Sequence, residues 1–379
     1  MIKKKLKIGI NLLYMNRRLS GGSITYGINL VNELSILDNF NSYILYVNKD
    51  CKDLPLNLNT NFEIKIVPFY NKHVFIRYFW EQVFFPFIIS LDKLDVLHSL
   101  GYVGPLICPT KHIVSILDLN FKRHTGSMSL SKRILLGSMV RLTSVFSNKI
   151  LTISNFSKNE ICSVLNVNEN KISVTYLSGS NDRYKDVNFN IDLKRLYKIQ
   201  SDYIIAFGSP SSHKNILGLI LAFLNLLKTN KNISLILVGH QHSNEDLNNH
   251  IIKLNLVNKV LFTGFVPDDH VFPLIRSSKL FVFPSFYEGF GIPLLDAQSL
   301  GVPVASSNSA SLPEIGNNGA LYFDPHNIKE MSDVMKSILN SNNISKKLIE
   351  SGYVNRSNYS WCKTASQTLD YYYIVSAKL

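Results

Sequence analysis

Phe281-Val282-Phe283-Pro284-Ser285-Phe286-Tyr287-Glu288-Gly289-Phe290-Gly291-Ile292-Pro293-Leu294-Leu295-Asp296 is the stretch that organises the rest of the chain. It opens with an apolar run of aromatic and β-branched residues, the pattern of a buried strand. A turn follows, in which Gly289 and Gly291 are free to take φ > 0 or to let a ligand approach the backbone. Pro293 suits the first position of a helix, which Leu294, Leu295, Ala297 and Leu300 continue and Gly301 and Pro303 end. The strand therefore delivers the carboxylate of Glu288 to the mouth of a glycine turn, and a second carboxylate, Asp296, follows in the helix. Between them the helix N-terminus offers unpaired N–H groups and partial positive charge, suited to an anion such as a diphosphate. An ordinary strand-turn-helix of an α/β core is the plain alternative. Gly289-x-Gly291 is also half a dinucleotide fingerprint, but the third glycine is missing and the run lies far from the N-terminus.

The run resembles the donor-site signature of the retaining family-four glycosyltransferases: a Glu, then Gly-Phe-Gly-x-Pro, then a second acid. Glu288 matches the first acid, and Asp296 stands where the family usually has a second Glu. The resemblance implies an α/β fold of two facing Rossmann-like domains (GT-B) and transfer from a nucleotide sugar with retention at the anomeric carbon. It implies no metal and no other cofactor, the nucleotide sugar being a substrate. Gly289, Phe290, Gly291 and Ile292 would line the donor. Glu288 would bind donor-sugar hydroxyls near the reacting carbon, and Asp296, one methylene shorter than the usual acid, the ribose hydroxyls.

At 379 residues the chain is long enough for two domains, and 46% hydrophobic with 18% charged residues fits globular cores. A formal charge of +13 favours an anionic partner: nucleic acid, a phosphorylated substrate or an acidic membrane surface. The basic residues are dispersed apart from Lys3, Lys4, Lys5 and Lys7, and neither zinc-finger spacing nor an RNA-binding aromatic signature is present, so nucleic acid is not expected. Cys51, Cys108, Cys162 and Cys362 are far apart and form no motif, which points to reduced thiols in a cytoplasmic protein. The basic N-terminus followed by Ile8–Leu13 mimics a signal peptide, but Asn11 interrupts the apolar run and no cleavage site follows. A first strand is the better assignment.

From that strand, Lys7–Asn11, the chain passes to Gly21-Gly22 and an amphipathic helix with Ile24, Ile28, Leu30, Val31 and Leu34. Paired glycines before a helix allow close approach of an anion or serve only loop flexibility. The resemblance favours the first, because the family carries such a pair facing the phosphates across the cleft. Residues 74–90 are unusually apolar and aromatic: a buried helix under the first sheet, or an amphipathic surface touching a membrane that presents a lipid-linked acceptor. Lys132, Arg133 and Arg141 could serve the same face or be ordinary solvated charges. Asp95–His98 and His112–Asp118 read as strands ending in polar residues, where ligand sites of open α/β sheets lie. The family usually has His-Asp where this chain has Leu117-Asp118. His98, Asp118 and His124 are the candidates on the acceptor side, Asp118 also as a catalytic group.

Ser154-Asn155 or Ser157 can cap the helix after a strand at Lys149–Ser154. The polar stretch from about Ser178 to Gln200 marks a linker. A strand at Tyr203–Gly208 then leads through His213-Lys214-Asn215 into a helix marked by Ile216, Leu219, Ile220 and Phe223. A lysine at such a turn is well placed to neutralise a leaving diphosphate. The resemblance strengthens that role for Lys214, although His213 replaces the Arg of the family's usual Arg-Lys-Asn. Gly208 completes the donor candidates. Trp361 and Tyr371–Tyr373 belong to a final helix that, in the family, returns to the N-terminal domain. The expected division is 1–183 for the acceptor domain, 184–362 for the donor domain and 363–379 for the returning helix.

The expectation is a retaining hexosyltransferase, with Glu288, Lys214 and Asp118 at the chemistry. The donor is GDP- or UDP-linked, GDP-mannose favoured. The acceptor is a glycan or lipid-linked glycan of bacterial O-antigen or surface polysaccharide, at the cytoplasmic face of the inner membrane. A degenerate family member that binds a nucleotide or partner without turnover is the alternative. An epimerase on a similar scaffold is a third.

Overall fold

Short apolar runs separated by amphipathic helices demand parallel sheets covered on both faces. The computed structural model describes residues 4–16, 21–51, 54–70, 74–123, 129–179, 187–189, 191–209, 211–239 and 245–377, and they form two such sheets in two α/β units.

The first unit comprises Met1–Leu177 and Ser360–Leu379. Its strands are β1 (Lys7–Asn11), β2 (Ser42–Asn48), β3 (Phe62–Val67), β4 (Val96–Ser99), β5 (Lys111–Ser115), β6 (Lys149–Thr152) and β7 (Ile172–Val174). They lie in the order β3-β2-β1-β4-β5-β6-β7, all pairs parallel. The second unit, Ser178–Tyr359, holds β8 (Asp202–Phe207), β9 (Ile233–Val238), β10 (Val260–Phe262), β11 (Leu280–Phe283), β12 (Val304–Ser307) and β13 (Leu321–Phe323). Their order is β10-β9-β8-β11-β12-β13, again all parallel. In each sheet the order reverses beside the first strand, so the loops leaving β1 and β4, and those leaving β8 and β11, diverge. They open a crevice at the carboxyl end, the switch point where doubly wound sheets bind ligands.

The second core forms where Ile204, Leu235, Leu237 and Val282 of the strands meet Leu219, Ile220 and Phe223 of the helix Ile216–Leu226. That helix is apolar nearly all round because strand and helix neighbours cover it. The chain reaches this unit earlier than the polar stretch 178–200 suggests. Leu193 and Ile199 are already buried, and the unit boundaries fall after Leu177 and Tyr359 rather than after residues 183 and 362.

The aromatic segment 74–90 is not one buried helix. It forms two, Val74–Val83 and Phe85–Asp92, with Pro86 in the first turn of the second. Tyr78, Trp80, Phe85 and Ile89 are buried, whereas Phe79 (61% exposed), Phe87 (71%) and Leu91 (80%) face solvent. Tyr78 shares a core cluster with Val140 of the helix Leu130–Phe146, so the two helices cover the same side of the sheet.

The final helix, Trp361–Ala377, packs on the helix Gly22–Leu37 in the first unit. A buried polar chain anchors it. The Tyr372 hydroxyl meets His98 Nδ1 at 2.9 Å, His98 Nε2 meets Ser115 Oγ at 2.8 Å, and Tyr26 Oη meets the same Ser115 Oγ at 2.9 Å. His112 Nε2 lies 3.0 Å from Ser99 Oγ. Burial pushes both imidazoles down to about 3, His112 adding to the effect on His98. The unfolded chain binds protons near pH 6.5 and the native chain does not, so stability is full above that pH and falls as pH drops towards 3. Each histidine contributes a slope of ~1.4 kcal/mol per pH unit. Denaturant unfolding at pH 7.5, 6 and 5 should show this loss, and His112→Gln should flatten it by about one proton. Equal slopes in the two proteins would refute the assignment.

Candidate active site

In the second unit, β11 and the turn after it place Glu288 at the switch point, and β8 places Lys214 on the other side of it. Lys214 Nζ donates to Glu288 Oε1 at 2.7 Å, and Ser285 Oγ donates to the same oxygen at 2.8 Å. Both charged side chains keep partial access to solvent, 25% for Lys214 and 15% for Glu288. The ammonium also sits 5.7 Å from the centre of the Phe283 ring.

Backbone and side-chain bonds hold this pair from several elements. Lys214 ends the short turn Ser212–Lys214, and the following Asn215 adopts φ 52° and ψ 39°, the left-handed conformation that asparagine tolerates. Asn215 Nδ2 donates to the carbonyls of Pro284 (3.2 Å) and Pro325 (2.8 Å), tying the lysine turn to the ends of β11 and β13. Phe286 N donates to the carbonyl of His213 at 2.8 Å. Ser311 Oγ lies 2.9 Å from the carbonyls of both Glu288 and Phe290, bracing the signature turn from its far side. Sequence reasoning gave Ser285 no part in the site, although the Ser285-x-x-Glu288 spacing was a local cue. It placed Asn215 in the lysine turn and Ser311 in a segment resembling the one beside the family's donor, but not the contacts, distant in sequence, through which both act.

Gly291 has φ 112° and precedes the helix Ile292–Ser299, and a Cβ there would come 2.9 Å from Leu312 Cδ2. Conformation and space both demand glycine at this position. Gly289 is not among the residues with positive φ, so its lack of a side chain there serves no left-handed backbone. Gly208 follows β8 and donates its N–H to Val238 O at 2.8 Å. Gly239, which sequence reasoning did not single out, has φ 131° and lies against it: a Cβ at 239 would collide with the Gly208 carbonyl. Asp296 is in the helix as expected, but only 6% exposed.

The remaining candidates lie in the first unit. Gly21 and Gly22 open the helix Gly22–Leu37, and among the described residues no heavy atom stands within 4 Å of a Cβ built at either position. The first turn of that helix is held by Tyr14, whose hydroxyl donates to Ser23 O at 2.7 Å. Asp118 lies beyond the end of β5, its Oδ1 accepting from Asn120 N (3.1 Å) and Tyr102 Oη (3.3 Å). Leu117 is 3% exposed, packed where the family carries a polar imidazole. His98 corrects an expectation. Instead of offering a nitrogen to an acceptor, it is fully buried with both nitrogens engaged by Tyr372 and Ser115. His124 lies outside the described residues.

Chemically, the second unit presents one ammonium and one carboxylate in contact at the carboxyl edge of a sheet, beside a helix N-terminus. The ammonium and the helix amides suit an anion; the carboxylate suits hydroxyl groups. Residues 193–354, which contain this site, match the family described as glycosyl transferases group 1. Over 172 residues the chain is 32% identical to the O-antigen chain mannosyltransferase B of Escherichia coli, a match covering 45% of each protein. The chain spans about half the length of the curated relatives it matches (45% and 57% of the first two). Among solved structures, the sucrose-phosphate synthase of Thermosynechococcus elongatus is alike with a TM-score of 0.78 at 14% identity, over 99% of this chain and 100% of that one. Anabaena HepE in complex with UDP and glucose gives 0.73 at 16% identity, over 97% and 99%. The two-domain α/β fold is therefore shared along nearly the whole chain.

Proposed function

We propose that this chain, whose residues 193–354 match the group 1 glycosyl transferases, moves a hexose from a nucleoside-diphosphate sugar to a hydroxyl of a growing surface glycan, with retention of configuration. The observation that carries this is the Lys214–Glu288 contact at the switch point of the second sheet. When the bond between the anomeric carbon and the diphosphate breaks, its electron pair stays on the phosphate oxygen, the acceptor hydroxyl oxygen bonds to that carbon, and the hydroxyl proton passes to the departing diphosphate. Lys214 and the amides opening the helix Ile292–Ser299 stabilise that charge, and no metal is needed for the task. Glu288 holds sugar hydroxyls beside the carbon that becomes electron-poor. Asp296 takes the ribose hydroxyls. The fold relative HepE is seen with UDP and glucose, which supports a nucleotide-sugar donor. The mannosyltransferase name of the Escherichia coli relative favours mannose from GDP-mannose and an O-antigen-type product.

Thermal unfolding with GDP, UDP, dTDP and ADP tests the donor site. A nucleotide at about 100 times its dissociation constant adds about 2.7 kcal/mol of stability. Selective stabilisation by GDP is the expected result, and none by any nucleotide would overturn the reading. A catalytically degenerate binder is the second reading, favoured by the buried Leu117 and by His213 and Asp296 standing where the family has Arg and Glu. Release of free sugar from the donor would exclude it.

The acceptor in this proposal is lipid-linked and met at an anionic membrane. No described helix is long and apolar enough to cross a membrane. The helices that expose Phe79, Phe87 and Leu91 cover the same side of the first sheet as the helix Leu130–Phe146, which carries Lys132, Arg133 and Arg141 and no acid. Apolar insertion plus basic charge is how interfacial helices bind anionic lipid. Co-sedimentation should show binding to phosphatidylglycerol vesicles that weakens with salt, and loss of binding in Phe79→Ser/Phe87→Ser. Equal partition to phosphatidylcholine vesicles, or binding unchanged in the variant, would refute the surface.

A further inference from the structure

We infer that Gly179 is a positioning residue for the donor: its missing side chain makes the room in which the Asp296 carboxylate stands. This rests on the reading of Asp296 as the ribose contact.

The chain enters the second unit at Ser178 and leaves it at Tyr359, and the two ends are bonded to each other: Ser178 Oγ donates to Tyr359 O at 3.2 Å. Both ends lie on the signature. The Tyr359 ring meets Phe290 edge-on at 5.9 Å. Gly179 is buried against the helix Ile292–Ser299, and a Cβ built on it would stand 2.8 Å from Asp296 Oδ1, 3.4 Å from Leu295 Cβ and 3.5 Å from Asp296 N. The φ of Gly179 is not in the left-handed region, so the backbone does not require glycine there; the neighbour does. Of the three atoms, only the carboxylate oxygen is too close for an ordinary contact, and it is also the one that can turn away. An added methyl group therefore acts on the orientation of Asp296 rather than on the packing of the helix. The first residues after the crossing between units thus set where the ribose-binding carboxylate points.

The test is a double-mutant cycle read by calorimetric titration of the full-length protein with GDP and with UDP. Gly179→Ala should weaken the better-bound nucleotide by about tenfold, the order expected when a charged hydrogen-bonding group is displaced. In the Asp296→Ala background the same substitution should change affinity by less than about twofold, because the group through which it acts is gone. If Gly179→Ala folds poorly, the stability cycle gives the same answer: removing the Asp296 carboxylate should restore its unfolding midpoint. Equal effects of Gly179→Ala with and without Asp296, on affinity and on midpoint, would overturn the inference while leaving Asp296 in the donor site. Nucleotide affinity unchanged in Asp296→Ala alone would overturn both that role and this inference.

Discussion

Glu288→Gln lowers the turnover number for glycosyl transfer by about 10²–10³-fold, the range found when one preorganised polar group is removed from a reacting centre, and leaves the fold in place. The expectation follows from how this side chain is held. One carboxylate oxygen accepts from both Lys214 Nζ and Ser285 Oγ, and the residue's own carbonyl is braced by Ser311. Glutamine keeps the shape and an oxygen for those donors, so the turn stays formed, but it removes the negative charge that a developing positive carbon needs. The lost ion pair costs little stability. Both side chains keep some access to solvent, 25% for the lysine and 15% for the glutamate, and the glutamine oxygen still accepts from the ammonium. Turnover with a donor and acceptor pair, measured beside the thermal midpoint, separates the two effects. A variant with near-normal turnover would remove Glu288 from the chemistry, and one that loses turnover only because it unfolds would show it in the midpoint.

The features legible in the sequence were those encoded locally. The run 281–296 carries its strand, turn and helix in consecutive residues, and they appear as β11, the turn and the helix Ile292–Ser299. The first strand is likewise present as β1, and Ser154 does cap its helix, accepting from Ser157 N. Features that depend on distant partners were not legible. His98 ends a strand, which by rule points to a ligand edge, but Tyr372 from the far end of the chain claims one nitrogen and Ser115 the other. Arg77, Glu81 and Gln82 interrupt the apolar segment 74–90, but Arg77 and Glu81 are buried while Phe79 is exposed, so its polar residues do not mark the outer face. Only packing against the sheet chooses Trp80 and Phe85 for the core and leaves Phe79 and Phe87 outside. The support of the Lys214 turn by Asn215 depends on Pro284 and Pro325, both far along the chain.

Lys214→Met weakens nucleoside-diphosphate binding by about 10–100-fold, the equivalent of one lost charged hydrogen bond, and lowers turnover further because the charge on the diphosphate is greatest as it leaves. Glu288 neutralises the ammonium at 2.7 Å. An incoming diphosphate must therefore share Lys214 with a carboxylate, and a sugar hydroxyl must share Glu288 with a lysine. The arrangement works if donor binding turns the pair into a chain of diphosphate, ammonium, carboxylate and sugar, in which each contact reinforces the next. The two residues then act as a unit, and their substitutions do not add. In the double variant Lys214→Met/Glu288→Gln, turnover should fall little below that of the worse single variant. Independent roles would instead multiply the two losses. The lysine's share should also be visible in salt: nucleotide affinity of the wild type falls as ionic strength rises, and the Lys214→Met variant shows a shallower fall. A variant that binds GDP and UDP as the wild type does would show that the helix amides alone carry the diphosphate, and Lys214 would then serve only to hold Glu288.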